Sequence, residues 1–262
     1  MANIGYLGFG NMAEAVAQGL KQTGTTHHFY ATAAHYDALV PRARNVNVTP
    51  LPSNEALLDA VGVVIVAIKP HLVPDVLQPL ASRLAGKVVI SFAAGLTTQD
   101  YRAFLPESTH VLVTMPNLPM AVGEGVLIVD DAYDLTEDEF QFVEELFSPI
   151  AAVVPLPSTQ MRVAGTLSGC GPAFADLFLE ALADAGVKYG LSRAAAYRIA
   201  SQTLKGAAAL QLATGLHPGV LKDRVTSPGG TTIRGIAALE EKGFRHSVIA
   251  AVDAIEGRNV EK

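Results

Sequence analysis

Two glycine-rich segments more than two hundred residues apart carry residue types that can do chemistry. Near the N-terminus, Gly8-Phe9-Gly10-Asn11-Met12-Ala13 follows the apolar run Asn3–Leu7 and opens a helical pattern. At this spacing the first glycine permits a tight turn and the second lets the backbone approach a pyrophosphate. The third small residue, here Ala13, lets the helix sit close to the strand. The start of that helix offers free N–H groups and a partial positive charge to phosphate. Near the C-terminus, Leu221-Lys222-Asp223-Arg224-Val225-Thr226-Ser227-Pro228-Gly229-Gly230-Thr231-Thr232 is a polar glycine loop that runs into another helix. The first segment is where a dinucleotide is expected, and the second is where a small polar substrate is expected. Pro-Gly-Gly-Thr-Thr is equally a good helix start, so the residues alone leave a cap and a substrate loop both open.

Cofactor choice is read after the second strand, where an Asp or Glu would grip the 2′-hydroxyl of NAD. This chain has Ala31-Thr32-Ala33-Ala34-His35-Tyr36 there, with no acid before Asp37 and with Arg42 and Arg44 soon after. The pattern leans toward NADPH, with Thr32 as a donor to the 2′-phosphate, and leaves NADH open. Three more runs end in small or polar residues: Val63–Ile68 in Lys69-Pro70, Val88–Phe92 in Ser91-Phe92-Ala93-Ala94-Gly95, and Val111–Met115 in Pro116-Asn117. In an open parallel sheet, ligands bind at such strand ends.

The elements that must position these residues fall into two halves. In the first, β-branched runs alternate with helical spacing. Strands are expected over Asn3–Leu7, His28–Ala33, Val46–Thr49, Val63–Ile68, Val88–Phe92, Val111–Met115, Val126–Val129 and Ala151–Val154. Helices are expected over Met12–Gln22, Leu72–Leu84, Thr98–Phe104 and Thr136–Phe147, the last with Thr136 as N-cap and an acidic first turn. The alternation predicts an α/β fold, a parallel sheet doubly wound with helices. After Pro155-Leu156-Pro157 no strand pattern recurs. Pro172–Tyr189, Ser192–Thr214, Pro218–Val225, Thr231–Lys242 and Phe244–Gly257 read as helices between Gly and Pro signals. The expected division is a dinucleotide domain over 1–157 and a helical domain over 158–262. The Pro172–Tyr189 helix is apolar around most of its circumference, which predicts burial in an oligomer. Its Asp176, Glu180 and Asp184 stripe reads as a solvated face.

Composition sets the outer limits. Half of the 262 residues are hydrophobic and 17% are charged, enough for a substantial core. A net charge of −6 argues against nucleic acid as a partner. The longest apolar run, Val61 to Ile68, is far short of the roughly 18 residues of a spanning helix, so no membrane partner is expected. The single cysteine, Cys170, excludes an internal disulfide and fits a reducing, cytoplasmic compartment. No His/Cys cluster has metal spacing, and His71 and His217 read as capping residues at loop–helix junctions.

Gly8-Phe9-Gly10-Asn11-Met12, Ala67-Ile68-Lys69-Pro70-His71, Ser168-Gly169-Cys170-Gly171-Pro172-Ala173-Phe174 and the Leu221–Ile233 segment together carry a family resemblance. From residue 3 to about 258 the chain resembles pyrroline-5-carboxylate reductase, which makes proline by reducing a cyclic imine with a nicotinamide cofactor. The resemblance implies a Rossmann domain followed by a helical dimerisation domain, as a homodimer that can assemble into a decamer of five dimers. It implies that Gly8, Phe9, Gly10, Asn11 and Met12 line the pyrophosphate, with Asn54 near the adenosine ribose. Ala67, Lys69, Pro70, Ala93, Ala94 and Asn117 would border the nicotinamide side, and Arg224 would reach the cofactor of the other chain. Ser227, Gly229, Gly230, Thr231 and Thr232 would hold the substrate carboxylate and ring nitrogen, with Thr232 in the catalytic role. The chain departs from the family pattern at Ser158, Arg162, Gly165, Cys170 and Ala213, near expected substrate or dimer contacts.

A pyrroline imine is basic enough to be protonated before hydride arrives, so no catalytic histidine is required. Two other readings stay open: a reductase of a related cyclic imino acid or β-hydroxy acid, and a regulatory paralogue that binds dinucleotide with little turnover. For a β-hydroxy acid, the Ser-Pro-Gly-Gly-Thr-Thr loop stands where a general-acid lysine would be needed.

Overall fold

The β-branched runs of the first half become one sheet. The computed structural model describes residues 1–257. Its strands are β1 (Asn3–Leu7), β2 (His28–Thr32), β3 (Thr49–Pro50), β4 (Val63–Val66), β5 (Val88–Ser91), β6 (His110–Pro116), β7 (Gly125–Asp130) and β8 (Ala151–Leu156). They lie in the order β3-β2-β1-β4-β5-β6-β7-β8. Pairing is parallel from β3 through to β6 and again between β7 and β8. The chain order reverses at β1, whose neighbours are β2 on one side and β4 on the other. This is the crevice where doubly wound sheets take ligands.

Alternation along each strand sends side chains to two core layers. Ile4, Tyr6, Ile65, Ile90 and Leu112 face the layer that holds Val16, Leu20, Leu127 and Phe147. Leu7, Val64, Val66, Val89 and Val111 face the layer that holds Leu57, Leu77, Tyr101 and Met161. The helix Asn11–Gln22 buries Ala13, Val16, Ala17 and Leu20, an i, i+3, i+4, i+7 stripe. Each fully buried Val or Leu contributes about 1.5–3 kcal/mol.

Three departures from the expected elements have local causes. The link over residues 117–124 is too short for a parallel crossover, which takes a dozen or more residues, so β7 returns antiparallel to β6. The single helix expected over 72–84 is split into Val73–Leu77 and Ala81–Leu84, with 3-10 turns at Pro70–Leu72 and Gln78–Leu80. Pro74 and Pro79 interrupt it, because proline has no N–H to continue the ladder. The third strand is confined to Thr49–Pro50. Val46 and Val48 are buried beside it, and an unexpected helix, Tyr36–Asn45, precedes it and buries Leu39 and Ala43. Asn54–Ala60 and Ser158–Gly165 are also helices. Thr136 caps Glu137–Phe147 in a reciprocal box with Glu139.

The chain forms two compact units, the first ending at Gly169 and the second starting at Cys170. Beyond the expected division at residue 157, the helix Ser158–Gly165 still packs Met161 and Ala164 against the sheet. The second unit contains the helices Gly171–Lys188, Arg193–Thr214, Pro218–Arg224, Thr231–Glu241 and Phe244–Glu256, and no strand among the described residues. Among its described residues, only Ala183, Ala196 and Ala200 are buried. Leu177, Ile199, Leu210, Leu212 and Ile249 are exposed.

The Tyr6 hydroxyl is buried with no hydrogen-bond partner among the described residues, and burial raises its pKa well above the usual tyrosine range. Its ring packs edge-on to Phe9 at 5.5 Å and stacks with Phe29 at 6.2 Å. Tyr6→Phe keeps the ring and removes the orphan oxygen. The urea midpoint is expected to rise, by about 1 kcal/mol of stability. A loss of stability would mean that the hydroxyl has a partner.

Candidate active site

Register brings the dinucleotide-side residues to one edge. Leu7 is level with Thr32 and with Val66, and Val66 is level with Ser91. Gly8, Thr32, Ala67 and the Phe92–Ala94 loop therefore leave four adjacent strands at one height. Gly8 turns with φ +91 and donates its N–H to Thr32 O at 3.0 Å. A Cβ there would lie 2.5 Å from Ile68 Cγ2 and 2.8 Å from Ala67 O. A Cβ at Gly10 would meet nothing within 4 Å. The helix Asn11–Gln22 has no side-chain cap, and its ladder starts with Glu14 N–H on Gly10 O at 3.0 Å. The N–H groups of Asn11, Met12 and Ala13 precede it. Open space over Gly10 and an uncapped helix start fit a pyrophosphate. Phe9 is buried against Tyr6, so it offers this cleft backbone and not its ring.

Thr32 is buried and donates its hydroxyl to Asn54 Oδ1 at 2.8 Å. The proton expected to meet a 2′-phosphate is engaged by Asn54, so Thr32 orients the Asn54 amide instead. Arg42, on the unexpected helix, places Nε and one terminal nitrogen on Glu14 Oε2 at 2.9 and 2.6 Å. The same terminal nitrogen reaches Asn11 Oδ1 at 3.2 Å. The spacing of Arg42 from the second strand drew notice to it, but nothing in the local pattern pointed to Glu14 as its partner.

On the far side of β1, Lys69 is exposed and precedes the turn Pro70–Leu72. Ala93 is buried and Ala94 exposed. Ser91 Oγ accepts from Ala93 N at 3.1 Å and lies 2.6 Å from Tyr101 Oη. Burial pushes Tyr101 up to about 12, partly offset by Ser91. This buried pair holds the loop from below, and the sequence pattern did not single it out. Asn117 is buried. Its Oδ1 accepts from Val126 N at 2.8 Å and its Nδ2 donates to Ser168 O at 3.0 Å. Both ends of that amide are committed to protein backbone, so Asn117 clamps β7 and the π-helical turn Thr166–Cys170. The Ser168 hydroxyl is buried without a partner among the described residues.

In the second unit, Ser227–Gly230 closes a turn through Gly230 N–H on Ser227 O at 3.0 Å, with Gly229 at φ +67. A Cβ at Gly230 would lie 2.4 Å from Ser227 Oγ. Gly230 is the N-cap of Thr231–Glu241 and no side chain caps it. Thr231 and Thr232 therefore sit in the first turn, exposed, and neither hydroxyl serves as the cap. Arg224 ends the preceding helix, exposed.

His217 does cap, accepting from Gly219 N at 3.0 Å. His71 does not, because it lies inside the turn Pro70–Leu72 with no capping bond. Ser158 donates to Asp130 Oδ1 at 2.7 Å. Gly165 makes room for Met115, whose Sδ would lie 2.4 Å from a Cβ. Cys170 is half-buried and Ala213 exposed. Asp184 pairs with Arg193 at the surface. No group of His, Cys, Asp and Glu among the described residues could hold a metal, and no helix among them is long and apolar enough to cross a membrane.

Comparison with known proteins matches both segments. Residues 158–262 match the family model for pyrroline-5-carboxylate reductase dimerisation, and residues 3–95 match that for NADP oxidoreductase, coenzyme F420-dependent. A pyrroline-5-carboxylate reductase of Treponema pallidum (strain Nichols) is 41% identical over 258 residues, covering 96% of this chain and 98% of the relative. The chain belongs to the pyrroline-5-carboxylate reductase family. The Pisum sativum member is 38% identical over 262 residues, covering 98% and 95%. The solved pyrroline carboxylate reductase of Plasmodium falciparum, with NADP bound, superposes with a TM-score of 0.84 at 29% identity, covering 97% of this chain and 95% of that one. The fold is thus the family's α/β fold, a Rossmann-like sheet followed by a helical segment, and the cofactor class is NAD(P)H.

The contrast between the two glycines is testable. Gly10→Val should leave the far-ultraviolet circular dichroism unchanged and abolish NADPH binding in a fluorescence titration, because its side chain would fill the open space expected to take the pyrophosphate. Gly8→Ala should lose stability as well, because it clashes with Ala67 and Ile68 in a left-handed conformation. Unchanged NADPH affinity in a folded Gly10→Val protein would remove the turn from the site.

Proposed function

We propose that this chain reduces 1-pyrroline-5-carboxylate to L-proline, the last step of proline formation, using NADPH in preference to NADH. The full-length match to relatives of that name, across both glycine-rich segments, carries the reading. Absence of an acid after β2 supports NADPH, since nothing there repels a 2′-phosphate.

Gly8, Gly10, Asn11 and Met12 would hold the pyrophosphate through backbone N–H groups, and Asn54, oriented by Thr32, would meet the adenosine ribose. Ala67, Lys69, Pro70, Ala93 and Ala94 would border the nicotinamide, with Arg224 reaching the cofactor from the second unit of a partner copy. When bound, the dihydronicotinamide supplies the hydride for the C=N carbon. The loop holds the substrate: the Gly229 N–H, the Thr231 N–H at the helix start and the hydroxyls of Ser227 and Thr231 grip the carboxylate where a helix start favours anions, while Gly230, its own N–H turned back on Ser227 O, shapes the turn. The Thr232 hydroxyl accepts from the protonated imine nitrogen and donates to the amine lone pair once the double bond is gone. The imine brings its own proton, so the residues act by orientation and electrostatics.

The same reading makes 158–262 the dimerisation segment of a homodimer, able to assemble further into a decamer, in the cytoplasm. The exposed Leu177, Ile199, Leu210 and Leu212 support it, since apolar surface of this extent marks an interface. Analytical ultracentrifugation at micromolar protein should find no monomer. A stable, active monomer would contradict the helical interface.

Steady-state reduction of pyrroline-5-carboxylate with each cofactor tests the activity. NADPH binding without turnover would leave the regulatory paralogue. Thr232→Ala should lower kcat/KM by about 10- to 100-fold, the range for losing one hydroxyl hydrogen bond at a reacting nitrogen that brings its own proton. NADPH affinity and the urea midpoint should hold, because Thr232 is not the helix cap. Wild-type kinetics with a lower midpoint would remove Thr232 from the reaction.

A further inference from the structure

A carboxylate stands where the dinucleotide's phosphates need positive potential. Glu14 is in the first turn of Asn11–Gln22, the helix whose free N–H groups are assigned to the pyrophosphate. Acidic residues stabilise a helix start, but here they oppose the anion that the start is meant to hold. Arg42 answers that charge. Its guanidinium takes Glu14 Oε2 through Nε and one terminal nitrogen, at 2.9 and 2.6 Å. The same terminal nitrogen bridges to Asn11 Oδ1 at 3.2 Å, so a single group ties the carboxylate to the first residue of the phosphate-binding helix. Leu39 and Ala43, buried on either side of Arg42, seat its helix in the core. The two charged side chains are 38% and 28% exposed, so they are partly shielded from the solvent that would otherwise screen Glu14.

We propose that Arg42 is a positioning residue of the cofactor site, which cancels the charge of Glu14 and fixes the Asn11 side chain beside the pyrophosphate. The proposal rests on the dinucleotide reading of Gly8–Ala13. Its consequence is specific: Arg42 serves the part common to NADPH and NADH, and does not read the 2′-phosphate. An exposed ion pair adds little to stability. A bare carboxylate beside a doubly charged diphosphate is a larger perturbation, because like charges at short range in a partly desolvated site repel strongly.

The test is a charge cycle, read by titration of the folded protein with NADPH, NADH and ADP-ribose. Arg42→Gln should raise all three dissociation constants by about 10-fold, and less at high salt. The change should fall on KM for cofactor and not on kcat, with the NADPH to NADH ratio held within about 2-fold. Glu14→Gln keeps an acceptor for Arg42 and should bind as tightly as the wild type or tighter. The double variant Arg42→Gln with Glu14→Gln should recover most of the lost affinity, a coupling that a merely structural role would not produce. Unchanged affinity in Arg42→Gln overturns the proposal. So does a loss confined to NADPH, which would make Arg42 a reader of the 2′-phosphate, or a double variant no better than Arg42→Gln alone. Intact NADPH binding in Gly10→Val would overturn the dinucleotide reading itself, and the proposal with it, by a measurement independent of Arg42.

Discussion

The missing side chain at Gly8 is the constraint on which the N-terminal unit depends. The chain leaves β1 with φ +91 and Gly8 N–H on Thr32 O, pressed against Ala67 and Ile68 where β4 ends. A Cβ would separate the two strands at their shared edge. With glycine there, the next helix begins at once, and Ala13, Val16 and Leu20 reach the sheet. The uncapped helix start is thereby delivered to the crevice between β1 and β4. The energy that holds it comes from the buried stripe. The N–H groups are left unsatisfied because water, or a phosphate, can reach them.

Much of this was legible in the sequence, for reasons that also explain the rest. β4 and β5 are short, β-branched and bounded by breakers, and a strand buried on both faces leaves such a run. The Thr136 cap was legible because its box is local, Thr136 with Glu139 three residues on. Tyr36–Asn45 was not, because Pro41 and a polar start hide a helix held by only Leu39 and Ala43. The reversal at β7 was not read either, since direction depends on the length of a link and not on the residues of the strand. Within the site, backbone roles were legible and side-chain roles much less so. Gly8 and Gly10 act through what they lack, which a motif can report. Thr32, Asn117 and Ser91 act through partners 22, 9, 51 and 10 residues away, which no local pattern contains.

The helical unit follows a different packing logic. Small residues let its helices approach closely. Gly186 sits where a Cβ would lie 3.2 Å from Leu191 and 3.3 Å from the Ala196 side chain. Ala183, Ala196 and Ala200 are its buried residues. Alanine contacts bring backbones together but remove little apolar area from water. The larger apolar side chains point outward, so the unit's hydrophobic stabilisation is incomplete within one chain. This is the property expected of a dimerisation segment, and residues 158–262 match the dimerisation model of the family.

The positions expected to depart from the family pattern can be weighed by what they touch. Ser158 bonds to Asp130, a buried carboxylate at the end of β7 that also accepts from Ala132 N at 3.0 Å. Gly165 opens the space that Met115 fills. Both changes are therefore matched by neighbours in the same unit, which is how a family member absorbs substitutions without losing its fold. Neither removes a group from the dinucleotide turn, and neither lies in the Ser227–Thr232 loop. The N–H groups at the uncapped start of Asn11–Gln22 and the exposed hydroxyls of Thr231 and Thr232 at the uncapped start of Thr231–Glu241, the groups proposed for the reaction, are untouched by either. A regulatory paralogue freed from turnover would be under no pressure to keep both sets open.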